Sequence, residues 1–336
     1  MSTSASSTLV GSISKIKIGD TQSKTERTPV DTIPLPTVLS SVEVDENVVK
    51  ALPIPGSKLV DAQKFGESLS SWGKTAKLVV KLPDGTLQDY FLKGGRPFKF
   101  LAVVVPRLGP IGKQMCHGEF ESLKAIDAVS PGFVPKPYAW GEIGREEGSY
   151  FLPVEFRHIG RQLAEPSKLA RRLADMHMRS VSPTGKFGFH VATCHAKIIQ
   201  AVDMWDDSWC VVFSRHLGHI IDLASPVLQW AEFDLVSKLV LEKVVPRLLL
   251  PLQSEGRVLK PSLIHGDCWD GNTAMDMKTG EAFIFDVCSF YGHNEYDTGN
   301  WRAPRHRLSN KPTSRITSLP DVRAKYVFPT PTSRTA

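Results

Sequence analysis

The sequence predicts an α+β fold of two lobes, in which strands dominate the first lobe and helices the second. Runs rich in β-branched and aromatic residues occur early, at residues 74–80 and 88–92. Apolar residues at helical spacing dominate later, at residues 119–129, 166–178 and 225–250. Strands that precede helices, instead of alternating with them, are typical of an α+β layout.

The composition is that of an ordinary globular protein, with 336 residues, 41% of them hydrophobic, and a formal net charge of +6. Acidic and basic residues are mixed without a long Lys/Arg block, so we expect no nucleic-acid partner. No apolar run reaches the length of a membrane span, and no signal-peptide core precedes the fold, so we expect no membrane partner. The five cysteines show no Cys-x-x-Cys spacing. This pattern favours a reducing, cytoplasmic environment over a disulfide framework or a zinc site.

Changes in composition along the chain predict its organisation. Residues 1–44 are rich in Ser, Thr and Pro and poor in aromatic residues, so we expect a disordered leader. Residues 45–153 are the expected strand-rich lobe, interrupted by an insertion of Gly, Pro, Arg and aliphatic residues at 95–108. Residues 154–303 are the expected helical lobe. Residues 304–336 are rich in Pro, Ser, Thr and Arg, and we expect a low-complexity tail there.

In the first lobe, a hairpin is the clearest element. Its two strand-like runs enclose the turn sequence Pro-Asp-Gly-Thr at residues 83–86, and the second run leads to Lys93. Apolar residues three and four positions apart then predict a helix over residues 119–129. Residues 139–156 are interpreted as two further strands around a turn at residues 145–149.

The second lobe is expected to open with an amphipathic helix over residues 166–178, whose apolar positions include Leu169 and Leu173 on one face. A longer apolar stretch of helical period covers residues 225–250. It ends near Pro251, a residue that cannot continue a helix. Both stretches fit a helical second lobe.

Residues 265–272 carry the clearest chemical signal. They read His-Gly-Asp-Cys-Trp-Asp-Gly-Asn and fit the H-x-D-x-x-x-x-N pattern of kinase catalytic loops, with Cys268 where Leu is commoner. An Asp that accepts the proton of an attacking hydroxyl must lie beside an Asn that holds a metal ion on the phosphates, so one tight loop supplies both. We therefore predict that Asp267 is the catalytic base and Asn272 a metal ligand.

A second carboxylate fits the same chemistry. The apolar run at residues 282–285 leads to Asp286 at the end of a strand, where the other metal ligand of a kinase site belongs. Mg²⁺ prefers oxygen ligands, so an Asn carbonyl and an Asp carboxylate suit it. A lone His and Asp would more often cap a loop than catalyse, but the loop and the strand-end Asp together favour a phosphotransferase.

These segments resemble the fructosamine/ketosamine 3-kinases, also called protein-ribulosamine 3-kinases, which are relatives of the aminoglycoside phosphotransferases in the protein-kinase-like superfamily. The most specific matches are Trp269 in the loop and the string Tyr-Gly-His-Asn-Glu-Tyr-Asp at residues 291–297. Residues 185–190 and the two tryptophans within residues 205–209 match as well. The similarity covers residues 58–302. It implies a two-lobed, protein-kinase-like fold.

The resemblance also implies an activity, which is ATP-dependent phosphorylation of the 3-hydroxyl of a ketosamine such as a fructosamine or ribulosamine. The phosphorylated adduct is unstable, so such enzymes serve deglycation repair. The expected substrates are glycated proteins or small ketosamines, with ATP and Mg²⁺ as cofactors. Two alternatives stay open on the sequence: an aminoglycoside- or choline-type small-molecule kinase, and a catalytically impaired kinase-like binding protein.

By the same resemblance, Lys93 pairs with the phosphates of ATP and is oriented by Glu119. Glu121 lies two residues further along the same helix, and the sequence does not decide between the two carboxylates. Trp269 either stacks on the sugar substrate or packs against its own loop.

The resemblance further implies a nucleotide site between the lobes. Residues 151–157 would be the hinge, and the loop at residues 68–72 would cover the phosphates through Ser70 and Ser71, although it has no G-x-G-x-x-G. The backbone groups expected at the adenine belong to Glu155, Phe156 and Arg157.

The chain departs from the family pattern at two places. Residues 95–108 separate Lys93 from the helix that carries Glu119, and after Asn310 the sequence turns into the low-complexity tail instead of further helices. We therefore expect an incomplete helical lobe with exposed apolar surface, and either poor solubility or weak activity. Within the family string, we expect Asp297 and its neighbours to fix the metal loop through hydrogen bonds.

Overall fold

The computed structural model describes residues 38–41, 43–65, 74–94, 109–160, 164–302, 306 and 308, the first of these ranges by its backbone alone. The predicted insertion at residues 95–108, the predicted phosphate-covering residues Ser70 and Ser71, and the tail beyond Leu308 lie outside the described residues.

The first lobe is an antiparallel sheet with the strand order β1-β2-β3-β4-β6-β5. Its strands are β1 (Val38–Ser41), β2 (Lys58–Phe65), β3 (Lys74–Lys81), β4 (Leu87–Gly94), β5 (Gly141–Glu142) and β6 (Tyr150–Glu155). The predicted hairpin is confirmed, because β3 and β4 pair in continuous register and the N–H of Leu82 donates to the carbonyl of Thr86 at 2.8 Å. Gly85 lies in the turn at φ +88°, a conformation that suits glycine.

Strand β1 corrects the predicted boundary of the leader, because it lies within residues 1–44. It pairs antiparallel with β2, with Val38 opposite Phe65. Backbone hydrogen bonds to a neighbouring strand order such a segment whatever its side chains are. Composition alone therefore placed the start of the folded body too late.

Two helices accompany this sheet, α1 (Glu46–Lys50) and α2 (Gly109–Val129). Helix α2 contains the predicted residues 119–129 but begins ten residues earlier, at Gly109. The Gly-Pro pair that reads as a break in sequence starts the helix instead. The ring of Pro110 fixes φ near the helical value. Proline lacks a backbone N–H, but an N–H in the first turn of a helix has no intrahelical acceptor, so nothing is lost there.

The second lobe contains α3 (Pro166–Arg179), α4 (Trp209–Leu228), α5 (Ala231–Leu239) and α6 (Val245–Leu249), the last two joined by a π-helical turn at Val240–Val244. The predicted helix at residues 166–178 is confirmed. The predicted stretch at 225–250 is helical but interrupted, because Gln229 takes φ +48° and ends α4. Neither Gly nor Pro marks that position in the sequence.

Short strands in the second lobe position the site. A sheet with the order β10-β7-β14-β11 is accompanied by two hairpins, β8–β9 and β12–β13. Their bounds are β7 (Phe187–Gly188), β8 (Cys194–His195), β9 (Ile198–Ile199), β10 (Trp205–Asp206), β11 (Ser262–Ile264), β12 (Thr273–Met275), β13 (Ala282–Ile284) and β14 (Phe290–Gly292). The predicted catalytic loop follows β11, and Asp286 lies two residues after the end of β13.

The main core combines side chains of α2, β6, α3, α4, β11 and β13, and a smaller core lies between α1 and the first-lobe sheet. Several apolar side chains on and beside the later helices are exposed. Examples are Val227 at 81%, Trp230 at 56% and Leu248 at 62%. No helix among the described residues is long and apolar enough to cross a membrane.

Candidate active site

The loop after β11 folds tightly against the segment that follows Asp286. The N–H of Cys288 donates to the carbonyl of His265 at 2.9 Å. Gly266 lies at φ +91°, and a Cβ built there would be 2.2 Å from the carbonyl oxygen of Cys288. Only glycine fits this approach, so the Gly of the motif allows the two segments to meet.

A buried carboxylate holds the start of this loop. The oxygens of Asp297 accept the backbone N–H groups of His265 at 2.8 Å and Gly266 at 2.9 Å. The Nε2 atom of His177 on α3 lies 2.9 Å from the same carboxylate. The expected structural role of Asp297 is confirmed by these contacts, because three groups of the lobe converge on one buried side chain.

His265 joins the loop to the strand that leads to Asp286. Its Nδ1 accepts the N–H of Asp267 at 3.1 Å, and its Nε2 lies 3.0 Å from the carbonyl of Phe285. Burial lowers the pKa of His265, against the pull of nearby carboxylates. A neutral ring that accepts at Nδ1 and donates from Nε2 satisfies both contacts. His265 is therefore a structural bridge.

Asp267 and Asn272 are brought together as predicted. The amide nitrogen of Asn272 donates to the backbone carbonyl of Asp267 at 2.9 Å and to its Oδ2 at 3.0 Å. Because the nitrogen is used in this way, the amide oxygen of Asn272 is the atom that suits a metal ion.

The β12–β13 hairpin brings Asp286 to the same place. Thr273 pairs with Ile284, and the N–H of Phe285 donates to the carbonyl of Asn272 at 3.1 Å. Asp286 itself takes φ +56°, a left-handed conformation that is uncommon for a residue with a Cβ. The two predicted metal ligands thus leave the same end of one hairpin, and their oxygen donors fit Mg²⁺.

Lys93 of β4 reaches this cluster from the first lobe. Its Nζ donates to Glu119 Oε1 at 2.7 Å and contacts the carboxylate of Asp286. The choice left open by the sequence is resolved, because Glu121 instead pairs with Lys124 and His190, each at 3.1 Å. Lys93 therefore joins Glu119 of its own lobe to Asp286 of the second lobe.

The charges of this group depend on one another. Burial opposes the charged form of Lys93, but the carboxylates of Asp286 and Glu119 outweigh it and raise the pKa of the ammonium. Burial raises the pKa of Glu119 despite the attraction of Lys93, since Asp286 adds a second negative charge nearby. The ammonium is thus firmly charged.

Helix α2 is tied to the loop of Asp286 by Ser122, a fully buried residue that sequence analysis missed. Its hydroxyl donates to the carbonyl of Gly118 at 2.7 Å and accepts the N–H of Ser289 at 2.9 Å. A Cβ built at Gly118 would be 2.9 Å from Thr193 Cα, so this helix face lies close to the β8 segment. The sequence signal for this close contact is the pair Gly118 and Ser122, which lie one helical turn apart with Glu119 between them.

The predicted hinge is only partly as expected. The N–H of Glu155 donates to the carbonyl of Lys136 at 2.8 Å, so this amide is not available to adenine. The guanidinium of Arg157 contacts the carboxylates of Glu155 at 2.8 Å and Asp276 at 2.9 Å. Pairing of β6 with the segment at Lys136 thus uses a donor that the sequence had assigned to the nucleotide.

Three aromatic side chains pack together beside the hinge, and of these the sequence analysis named Phe156 but missed Phe65 and Phe91. Phe65 of β2 stacks on Phe91 of β4 and on Phe156, with ring centroids 6.0 and 6.3 Å apart. Phe91 lies two residues before Lys93, and alternation along a strand places both side chains on one face of the sheet. A flat apolar surface therefore lies beside the Lys93 cluster.

Two polar side chains from distant segments also contact Asp267. Nε2 of His195 on β8 lies 3.4 Å from Asp267 Oδ2, and the amide of Asn300 donates to Asp267 Oδ1 at 3.4 Å. Next to Asn300, the indole N–H of Trp301 donates to the carbonyl of Cys268 at 3.0 Å. No sequence pattern marks His195.

The indole ring of Trp269 packs against its own loop but remains partly exposed to solvent. A Cβ built at Gly271 would be 2.3 Å from its indole ring, and the ring meets His306 edge-on at a centroid distance of 5.6 Å. The residue is nevertheless 37% exposed. The ring thus packs on its own loop and still presents surface to a ligand.

Comparison with known proteins adds to this geometry. Residues 105–302, more than half of the chain, match the family described as Fructosamine kinase. The chain is 34% identical over 198 residues to the chloroplastic protein-ribulosamine 3-kinase of Oryza sativa subsp. japonica, with 58% of this chain and 54% of the relative covered. It is 30% identical over 209 residues to the ketosamine-3-kinase of Mus musculus, with 55% and 64% covered. The chain spans about half the length of the curated relatives it matches.

Solved structures share the fold. Crystal structures provisionally assigned as fructosamine-3-kinases match from Haemophilus somnus, with a TM-score of 0.54 and 17% identity, and from Thermobifida fusca, with 0.56 and 20%. The first match covers 82% of this chain and 78% of the other, and the second covers 76% and 77%. The α+β fold of two lobes predicted from the sequence is therefore confirmed.

Proposed function

The chain belongs to the fructosamine kinase family, and we propose that it transfers the terminal phosphoryl group of ATP to the 3-hydroxyl of a protein-bound or free ketosamine. The lobes proposed for this activity are residues 45–153 and 154–303. The observation that carries the proposal is the meeting of Lys93 with Asp286 beside the Asp267–Asn272 pair. Each lobe supplies part of that cluster, as a phosphotransfer site between lobes requires.

Asp267 acts as the base. It accepts the proton of the acceptor hydroxyl while the hydroxyl oxygen forms a bond to the terminal phosphorus and ADP leaves. Its carboxylate is held for this task by the amides of Asn272 and Asn300. Because both donors approach from defined directions, the carboxylate is oriented before the substrate binds.

Asn272 and Asp286 would hold Mg²⁺ through their side-chain oxygens. The ion supplies positive charge that neutralises the phosphate oxygens. Lys93 adds a further positive charge, and Glu119 orients it. The carboxyl and amide oxygens present at the end of the hairpin are the donor set that this ion prefers.

The nucleotide base belongs beside the hinge. Phe156 and Arg157 remain the proposed backbone contacts, whereas the amide of Glu155 does not. The rings of Phe65, Phe91 and Phe156 offer an apolar surface that suits a flat heterocycle. On the acceptor side, the exposed part of Trp269 would cover the sugar.

We also propose a cytoplasmic location. All five cysteines are free thiols, which fits a reducing compartment. The rice and Arabidopsis thaliana relatives are named chloroplastic.

Phosphorus NMR tests the proposal directly. The full chain is incubated with Mg-ATP and fructoselysine, and we expect a sugar 3-phosphate to appear together with ADP. Choline and an aminoglycoside are tested in parallel, because faster consumption of either would contradict a ketosamine preference. A folded chain that binds Mg-ATP and phosphorylates none of the three would contradict kinase activity altogether.

A further inference from the structure

The short hairpin β8–β9 is anchored at its open end and carries an imidazole toward Asp267, the candidate catalytic base. The N–H of Gln200 donates to the carbonyl of Thr193 at 2.8 Å. The hydroxyl of Thr193 donates to the carbonyl of Cys288 at 3.4 Å, next to the loop of Asp286. Nε2 of His219 on α4 contacts the carbonyl of Ile199 at 2.9 Å. The hairpin is thus held from several sides.

At the tip of this hairpin, His195 faces Asp267. Its Nε2 is 3.4 Å from Asp267 Oδ2, an ion-pair distance slightly longer than that of an ordinary hydrogen bond. The side chain of His195 is 53% exposed, whereas that of Asp267 is only 16% exposed. The imidazole therefore connects a mostly enclosed carboxylate with bulk water.

The other described side chains that contact this carboxylate are of a different kind. Asn272 and Asn300 approach it with amide N–H groups. An amide donates a hydrogen bond but does not take up a proton near neutral pH, whereas a neutral imidazole does. Among these contacts, His195 is the one that can remove a proton from Asp267.

Building on the proposed function, we propose that His195 takes the acceptor's proton on from Asp267 and releases it to solvent, so that the neutral imidazole is the active form. The O–H bond of the sugar breaks as its O–P bond forms and the bond between the terminal phosphorus and ADP breaks, and the proton moves first to an oxygen of Asp267. It then forms an N–H bond at Nε2 of His195, and water removes it. No further reactant is required.

The charges around His195 fix the direction of its pH dependence. The carboxylate of Asp267 raises the pKa of His195 above its ordinary value, and this effect outweighs burial, which acts in the opposite direction. His216 and His219 lie on the neighbouring helix α4, and burial together with His219 and His195 lowers the pKa of His216 to about 4. Because the neutral form is the active one, kcat rises with pH through the raised pKa of His195.

The test compares kcat of the parent chain and the His195→Gln variant with Mg-ATP and fructoselysine, from about pH 6 to about pH 8.5. Gln keeps a donor near the position of Nε2 but does not titrate. We expect the parent to be faster by about 10-fold at the alkaline end, below the effect of a primary base, and the ratio to approach one at the acidic end.

His190→Gln is the matched control, since His190 also pairs with a carboxylate, Glu121 at 3.1 Å, but does not contact the loop. We expect its pH profile to equal that of the parent. A second readout is independent of turnover: in proton NMR, Asp267→Asn should lower the pKa of His195.

Two results would overturn the inference. An active parent whose advantage over His195→Gln stays constant with pH would show that His195 has only a structural role. An NMR titration of His195 that Asp267→Asn leaves unchanged would show that the pair does not form. A parent without turnover at any pH would contradict the proposed function, and the inference with it.

Discussion

The two halves of the candidate site are held in different ways. The half that contains Asp267 is held by the buried carboxylate of Asp297, which accepts backbone N–H groups of the loop. The half that contains Lys93 is held by charge, through Glu119 and Asp286. The first arrangement is local to the second lobe, whereas the second joins the two lobes.

This difference predicts which substitutions lower the stability of the fold and which lower the rate of the reaction. Altering a buried carboxylate that accepts backbone N–H groups is costly, because those N–H groups then have neither a protein acceptor nor water as a partner. Partly exposed ion pairs contribute little to folding but place charges where a transferred phosphoryl group needs them. Substitutions of the Asp297 carboxylate should therefore destabilise the fold, and substitutions in the ion pairs of Lys93 should slow the reaction.

Asp297→Asn tests the first half and should have the largest effect on folding. The two backbone N–H groups use different oxygens of Asp297, and in asparagine one of those oxygens is replaced by an NH2 group that donates instead of accepting. We expect the free energy of unfolding to fall by about 3–5 kcal/mol, measured by urea denaturation. An unchanged midpoint would contradict the role given to this carboxylate.

Glu119→Gln tests the second half. Removing this carboxylate leaves Lys93 without one of its two partners, so the ammonium is less well oriented toward the phosphates. We expect kcat/KM for ATP to fall by about 10–100-fold, with little change in the unfolding midpoint.

Glu121→Gln is its matched control on the same helix, because Glu121 contacts Lys124 and His190 and not Lys93. We expect kinetic constants within about twofold of the parent. An equal loss in both variants would contradict the assignment of Glu119.

Ser122→Ala extends the comparison, because Ser122 ties the helix that carries Glu119 to the segment that follows Asp286. The variant leaves the N–H of Ser289 without its acceptor, so unfolding should become easier by about 1–2 kcal/mol. Ser167→Ala removes an exposed hydroxyl bond to Glu165 and should change stability by less than about 0.5 kcal/mol. Denaturation curves that rank the two variants in the opposite order would contradict the role of Ser122.

Much of the site follows from the sequence, because motif spacing carries it. Asp267 and Asn272 share one loop, and a strand of standard length places Asp286 beside them. The contacts within this loop and hairpin are set by local geometry that sequence patterns express directly. Lys93 meets Asp286 from 193 positions earlier in the chain, and its role was implied by the family resemblance alone.

The remainder depends on packing between distant segments. The choice between Glu119 and Glu121 is made by the face of α2 that packs near Thr193, where Gly118 allows a close approach. His195 reaches Asp267 from a hairpin 72 positions earlier in the chain, and no periodicity reports such a contact. The left-handed backbone of Asp286 is likewise invisible in a sequence that has no glycine there.

The claim that Asp267 takes the proton of a hydroxyl beside bound Mg-ATP is tested most directly by comparing Asp267→Asn with the parent chain in one titration and one single-turnover experiment. We predict that the variant binds Mg-ATP with an affinity within about threefold of the parent and transfers phosphate to fructoselysine about 10³-fold more slowly. Phosphoryl transfer at the parental rate by the folded variant would contradict the account.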